Sequence, residues 1–111
     1  MNKVFSKDPI EQTTIDEWKG KFRNVFAVEV PVSDEPGADT ITGYVRKPDL
    51  EEIGIVTSGN KENPVKAVIV LYNTCLLGGH PSFETDKDVR DAAIKQFEDI
   101  LKTRQATIKK V

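Results

Sequence analysis

Cys75 and His80 are the residues best suited to covalent chemistry in this chain, and each is the only one of its type. A thiol and an imidazole five positions apart could form an activated thiolate, with the imidazole as base. Against this, Cys75 falls on an apolar helical face that runs into Gly78-Gly79. A free cysteine in that setting is ordinarily a small buried hydrophobe. A single Cys and a single His also cannot complete a zinc site within one chain. Glu84, Asp86, Asp88 and Asp91 form an acidic run. A calcium loop would need a Gly turn and a distal Glu, which this run lacks. Acids at this spacing are explained by a helix N-terminus, where they offset the dipole. Gly78-Gly79 has neither the spacing nor the Lys of a phosphate-binding loop. No catalytic, metal-ligating or cofactor-binding residue is therefore assigned. The chain is expected to be no enzyme and to need no cofactor.

The remaining polar feature is basic. Residues 102–111 carry Lys102, Arg104, Lys109 and Lys110 and no acid, and Arg46-Lys47 adds two cations elsewhere. Such a helix end could touch an acidic partner or nucleic acid, or simply suit the negative end of the helix dipole. No aromatics interleave these cations, which weakens a nucleic-acid reading. The formal net charge of −2 argues the same way. A small nucleic-acid-binding or regulatory module using this basic end remains the alternative function.

The elements that would carry these residues are short. A chain of 111 residues fits one domain, residues 1–111, with 1–12 expected to form a loose arm. Thr13 or Thr14 offers an N-cap, and Ile15, Trp18 and Phe22 recur at helical spacing, so a helix is expected over 14–21. NVFAVEVPV, residues 24–32, is β-branched and alternating, and reads as a strand. SDEPGAD turns the chain, and TITGYVR, residues 40–46, returns it as an antiparallel hairpin. Asp49 with Glu52 makes a capping box for a short helix that Gly59-Asn60 closes.

Residues 63–77 pull in two directions. The β-branched content favours a strand. Asn63 as cap, Pro64 at the first helical position and the length of the segment favour a helix. Helix is chosen, with Val65, Val68, Ile69, Tyr72, Cys75 and Leu76 on one face and Gly78-Gly79 as its stop. Residues 80–84 read as a loop. Thr85 with Asp88 reads as a second capping box, opening the longest helix, over 86–110. Val89, Ala93, Phe97, Ile100, Leu101, Ile108 and Val111 give it an intermittent apolar stripe. The expected class is α+β: an antiparallel β-hairpin packed with three to four helices, the C-terminal one long.

No run of about 18 apolar residues occurs, so no membrane span is expected. The N-terminus lacks the apolar stretch of a signal peptide. One Cys fits a reducing compartment, and a cytoplasmic location is expected.

DEWKGKF at residues 16–22, FAVEV at 26–30, YVRKPDLEE at 44–52 and NTCLLGG at 73–79, followed by a long helix, form a recognisable order. In this the chain resembles small phage and prophage proteins of the tail-assembly-chaperone type. The resemblance implies a non-enzymatic role, holding an assembly component such as a tape-measure protein before tail polymerisation. It carries over no active-site residues. The expected partner surface is the end of the long helix, with Leu101, Arg104, Ile108 and Val111, together with Arg46 and Lys47 or the hairpin edge. Self-association is expected as well.

Overall fold

The computed structural model describes residues 3–22, 24–101 and 110. Nine elements follow one another: β1 (Val4–Phe5), α1 (Gln12–Lys21), β2 (Val25–Pro31), β3 (Thr40–Arg46), α2 (Leu50–Gly59), α3 (Pro64–Cys75), β4 (Leu76–Gly79), α4 (Ser82–Thr85) and α5 (Lys87–Leu101). The fold is α+β, as the patterning requires. The strands form one mixed sheet in the order β1-β4-β3-β2. The hairpin pairs in register from Val25↔Arg46 to Pro31↔Thr40.

Two strands lie where the sequence reading placed none. The segment expected as a loose arm contributes β1, which pairs parallel to β4 through Val4↔Gly78 and Phe5↔Gly79. The glycine pair expected to stop a helix is instead the end of β4, antiparallel to β3. The reason is steric. Gly78 (φ +156°) and Gly79 (φ +122°) sit where a Cβ would run into the Val4 carbonyl and the Thr42 carbonyl respectively. Only a residue without a Cβ lets three backbones meet this closely.

The caps of α2 and α3 are local and stand as expected. Asp49 accepts from the Glu52 N–H at 2.7 Å, and Glu52 accepts from the Asp49 N–H at 3.1 Å, closing the capping box of α2. Asn63 accepts from the Lys66 N–H, with Pro64 at the first turn of α3. Two caps differ. Glu11, not Thr13 or Thr14, is the N-cap of α1, and it makes no side-chain capping bond. Asp86, not Thr85, caps α5 by accepting from the N–H groups of Asp88 and Val89. Thr85 donates its hydroxyl to the Pro81 carbonyl, because residues expected to be loop form α4. The described part of the long helix ends at Leu101, and its expected continuation to residue 110 lies outside the described residues, Lys110 excepted.

The core lies between one face of the sheet and the helices α3 and α5. Val28, Val30 and Val45 meet Leu71, Tyr72, Cys75, Phe83, Val89, Ala93 and Phe97 there. Val89, Ala93 and Phe97 recur every four residues on α5, which places them on one stripe. On α3 the buried residues are Ala67, Leu71, Tyr72 and Cys75, so the buried stripe differs from the one the sequence indicated. Val65 points to solvent, with 69% of its surface exposed. Tyr72 packs edge-on against Phe97 at 5.9 Å and donates its hydroxyl to the Phe83 carbonyl at 2.9 Å. A buried tyrosine needs such a partner, since an unsatisfied hydroxyl costs about 1–3 kcal/mol.

Candidate functional site

The Cys75–His80 pair does not assemble as a nucleophile and base. Cys75 closes α3 inside the core with no exposed surface. Burial pushes its thiol up to about 11, against a smaller opposing pull from the Arg46 charge. It is therefore held as the thiol, and the thiolate is the reactive form. His80 lies past β4, where its Nδ1 accepts the Ser82 N–H at 3.1 Å and so helps start α4. Its ring lines a small cleft of about 170 Å³ with Ser6, Lys7, Thr42 and Tyr44. Cys75 is not among the lining residues.

The acidic run also has a local explanation. Asp86 is spent on capping α5, and Asp88 lies in the first turn of that helix. Among the described residues no group of three or more His, Cys, Asp or Glu is placed to hold a metal ion.

The residues expected to touch a partner fall in three different places. Arg46 is engaged within the chain. Its two terminal nitrogens donate to both oxygens of Glu52 at 2.7 Å, and its guanidinium lies 5.1 Å from the centre of the Phe22 ring. This pairing holds the Glu52 carboxyl below the ordinary carboxylate range, the Arg46 hydrogen bonds being the main cause. A bidentate pair of this kind is a geometric clamp between β3 and α2 more than a docking cation. Lys47, the next residue, does reach an open surface. It lines a cleft of about 500 Å³ with Phe26, Ala27, Val28, Gln96 and Ile100. Leu101 ends the described part of α5 half-buried against the core. Arg104, Ile108 and Val111 lie outside the described residues.

Two surfaces that bear on binding were not singled out as such by residue. One is the set of apolar side chains that the α2–α3 pair leaves in solvent. No residue of α2 is fully buried, and Ile53 and Val56 only lean on the core. Leu50 (75% exposed) and Ile55 (66%) on α2 join Val65 on α3 in presenting large apolar side chains to solvent. The capping box at Asp49 and the cap at Asn63 begin these two helices without demanding that either be buried, so the exposed leucine and isoleucine are carried on well-formed helix. The only sequence signal was that the apolar residues of 50–59 outnumber what a single narrow stripe needs.

The other surface is the free side of β2, the last strand in the sheet order, beside which Phe26 stays 38% exposed. No helix of the described residues is long and apolar enough to cross a membrane. Set against family models, curated proteins and solved structures, the chain matches none.

Proposed function

We propose that the protein is a non-enzymatic phage or prophage accessory protein of the tail-assembly-chaperone kind, acting in the cytoplasm. It holds an apolar segment of an assembly component such as a tape-measure protein until polymerisation begins. The observation that carries this reading is the set of exposed apolar side chains, Leu50, Ile55 and Val65, on the α2–α3 pair. Isolated apolar residues on a surface are ordinary, but Leu50 and Ile55, about 140° apart around α2 at 3.6 residues per turn, leave apolar contacts on two flanks of a helix that has no buried residue, and Val65 adds one on α3. The motifs DEWKGKF, YVRKPDLEE and NTCLLGG support the choice of client, through the family they resemble.

The test is co-expression with the tape-measure protein of the same phage or prophage, followed by co-purification and titration. The expected result is a stable complex that the double substitution Leu50→Asp, Ile55→Asp weakens at least tenfold while the circular dichroism spectrum is kept. Absence of binding by the unsubstituted chain at tens of micromolar overturns the proposal.

A further inference from the structure

The hydrogen-bonding groups along the free side of β2 are ordered by the hairpin. The Val32 N–H donates to the Asp39 carbonyl at 2.9 Å, and the Lys47 N–H donates to the Asn24 carbonyl at 3.0 Å. In an antiparallel ladder, residues that bond across alternate with residues that face away. Asn24, Phe26, Val28, Val30 and Val32 therefore turn their backbone groups towards β3. Val25, Ala27, Glu29 and Pro31 turn theirs outward. Pro31, which has no N–H, occupies an outward position where no ladder bond is lost. The outward donors are thus confined to Val25, Ala27 and Glu29, and among the described residues no further strand lies beyond β2.

We infer that this edge is the seat of a second copy of the chain, with β2 pairing antiparallel to β2 across a two-fold axis at Ala27. The argument is self-complementarity. With Ala27 facing the partner's Ala27, Val25 faces the partner's Glu29, and each outward N–H meets an outward carbonyl. Pro31 falls beyond the paired segment. Moving the axis to Val28 would make as many bonds, but it would leave each Val25 carbonyl facing Pro31 without a donor and bring the two Glu29 carboxylates to about 7 Å apart along the strand, inside the ~8 Å screening length.

The side chains agree with the same register. Alanine, exposed and small, is the residue brought closest to its own copy, about 5.5 Å between Cα atoms. The two Glu29 carboxylates stand about 14 Å apart at ~3.4 Å per residue, well past the ~8 Å screening length at physiological salt. On the other face of the strand, Phe26 stands opposite the partner's Val28 and diagonal to the partner's Phe26, a separation that aromatic rings span. The half-exposed Phe26 ring and the cleft beside it, between β2 and Ile100 of α5, are covered in the pairing. The result is a continuous eight-stranded sheet with both α5 helices on one face. A partner with an unrelated strand would have to reproduce the short donor run and the spacing of Glu29. A second copy does so by symmetry. This surface is separate from the α2–α3 side chains, so the two proposals stand independently.

Sedimentation of the full chain across a concentration series, combined with amide hydrogen exchange, tests the inference. A dimer is expected, and the amides of Val25, Ala27 and Glu29 are expected to be protected in proportion to its population and to lose protection on dilution. Ala27→Lys puts two cations face to face at the axis without touching the β3 ladder. It should weaken the dimer at least tenfold with an unchanged unfolding midpoint of the monomer. A chain that stays monomeric at several hundred micromolar overturns the inference. So does a dimer in which those three amides exchange at their monomer rates. If Ala27→Lys disturbs the fold, the concentration dependence of the three amides in the unsubstituted chain still decides the matter.

Discussion

The two faces of the sheet are built from the same strands and do different work. On one face Val28, Val30 and Val45 are covered by α3 and α5, and the contacts are aliphatic and aromatic. On the other, Trp18 of α1 packs on Tyr44 at 5.5 Å, Arg46 bridges Phe22 and Glu52, and a small cleft opens beside His80. Alternation along β3 produces the split: Gly43 and Val45 point one way, Tyr44 and Arg46 the other. One face is held by volume, the other by a ring pair and an ion pair. The dry face should therefore be intolerant of changes in shape, whereas loss of the ion-pair charge on the polar face should cost little.

The strongest test of that division is Phe97→Ala. Phe97 has no exposed surface and meets Tyr72 at the centre of the dry face. Its removal should cost about 3–5 kcal/mol, read as a lowered denaturation midpoint with an unchanged slope. A loss of under 1 kcal/mol would break the comparison. Trp18, the only tryptophan, lets fluorescence follow the polar face while circular dichroism follows the whole chain.

A smaller effect is expected at Gly43, where the Phe83 ring lies against the strand. An added Cβ would come within 2.5 Å of that ring, which is itself fully buried. Gly43→Ala should therefore destabilise by about 1–3 kcal/mol, the usual range for overpacking. The expected sign is opposite to the modest gain that Gly→Ala gives at a compatible strand position.

The smallest effect belongs to the polar face. Glu52→Gln removes the charge that Arg46 holds but keeps a hydrogen-bonding side chain, and a partly exposed ion pair of this kind contributes about 1 kcal/mol. The pH dependence has a defined sign. Because Arg46 lowers the Glu52 carboxyl, its stabilisation is fully present above the ordinary carboxylate range and is lost as pH falls through the lowered folded value. The difference between the natural chain and Glu52→Gln, measured by denaturation from pH 7 down to pH 3, should be constant at first and shrink at the acid end. A difference that grows on acidification would show that the pair does not act as the geometry implies.

What the sequence revealed follows from range. The hairpin, the Asp49–Glu52 box and the Asn63-Pro64 start of α3 are written in neighbouring residues, and each stands where it was read. β1 and β4 were not legible because their pairing joins distant segments, and Leu-Leu-Gly-Gly carries no alternation of its own. The glycine pair looks like a helix stop until the Val4 and Thr42 carbonyls are placed beside it. Arg46 was legible as a cation, but its bond to Glu52 depends on how α2 folds back on β3. Lys47 lines the open cleft beside β2, Leu101 ends the described part of α5 half-buried against the core, and Arg46 is an internal clamp.

The parallel contact of Val4 with Gly78 has a consequence for how the chain is made. The β2–β3 hairpin and α2 can form as soon as they emerge, since their partners are near in sequence. The far edge of the sheet cannot close until β4 has left the ribosome. At roughly 5–20 residues per second, the segment carrying β1 waits about 4–15 s for its partner. During that interval the side of β3 that β4 will occupy is a second open edge. Both flanks of the nascent hairpin are then bare, and the glycine pair that finally seals one of them is also what brings the first residues of the fold home.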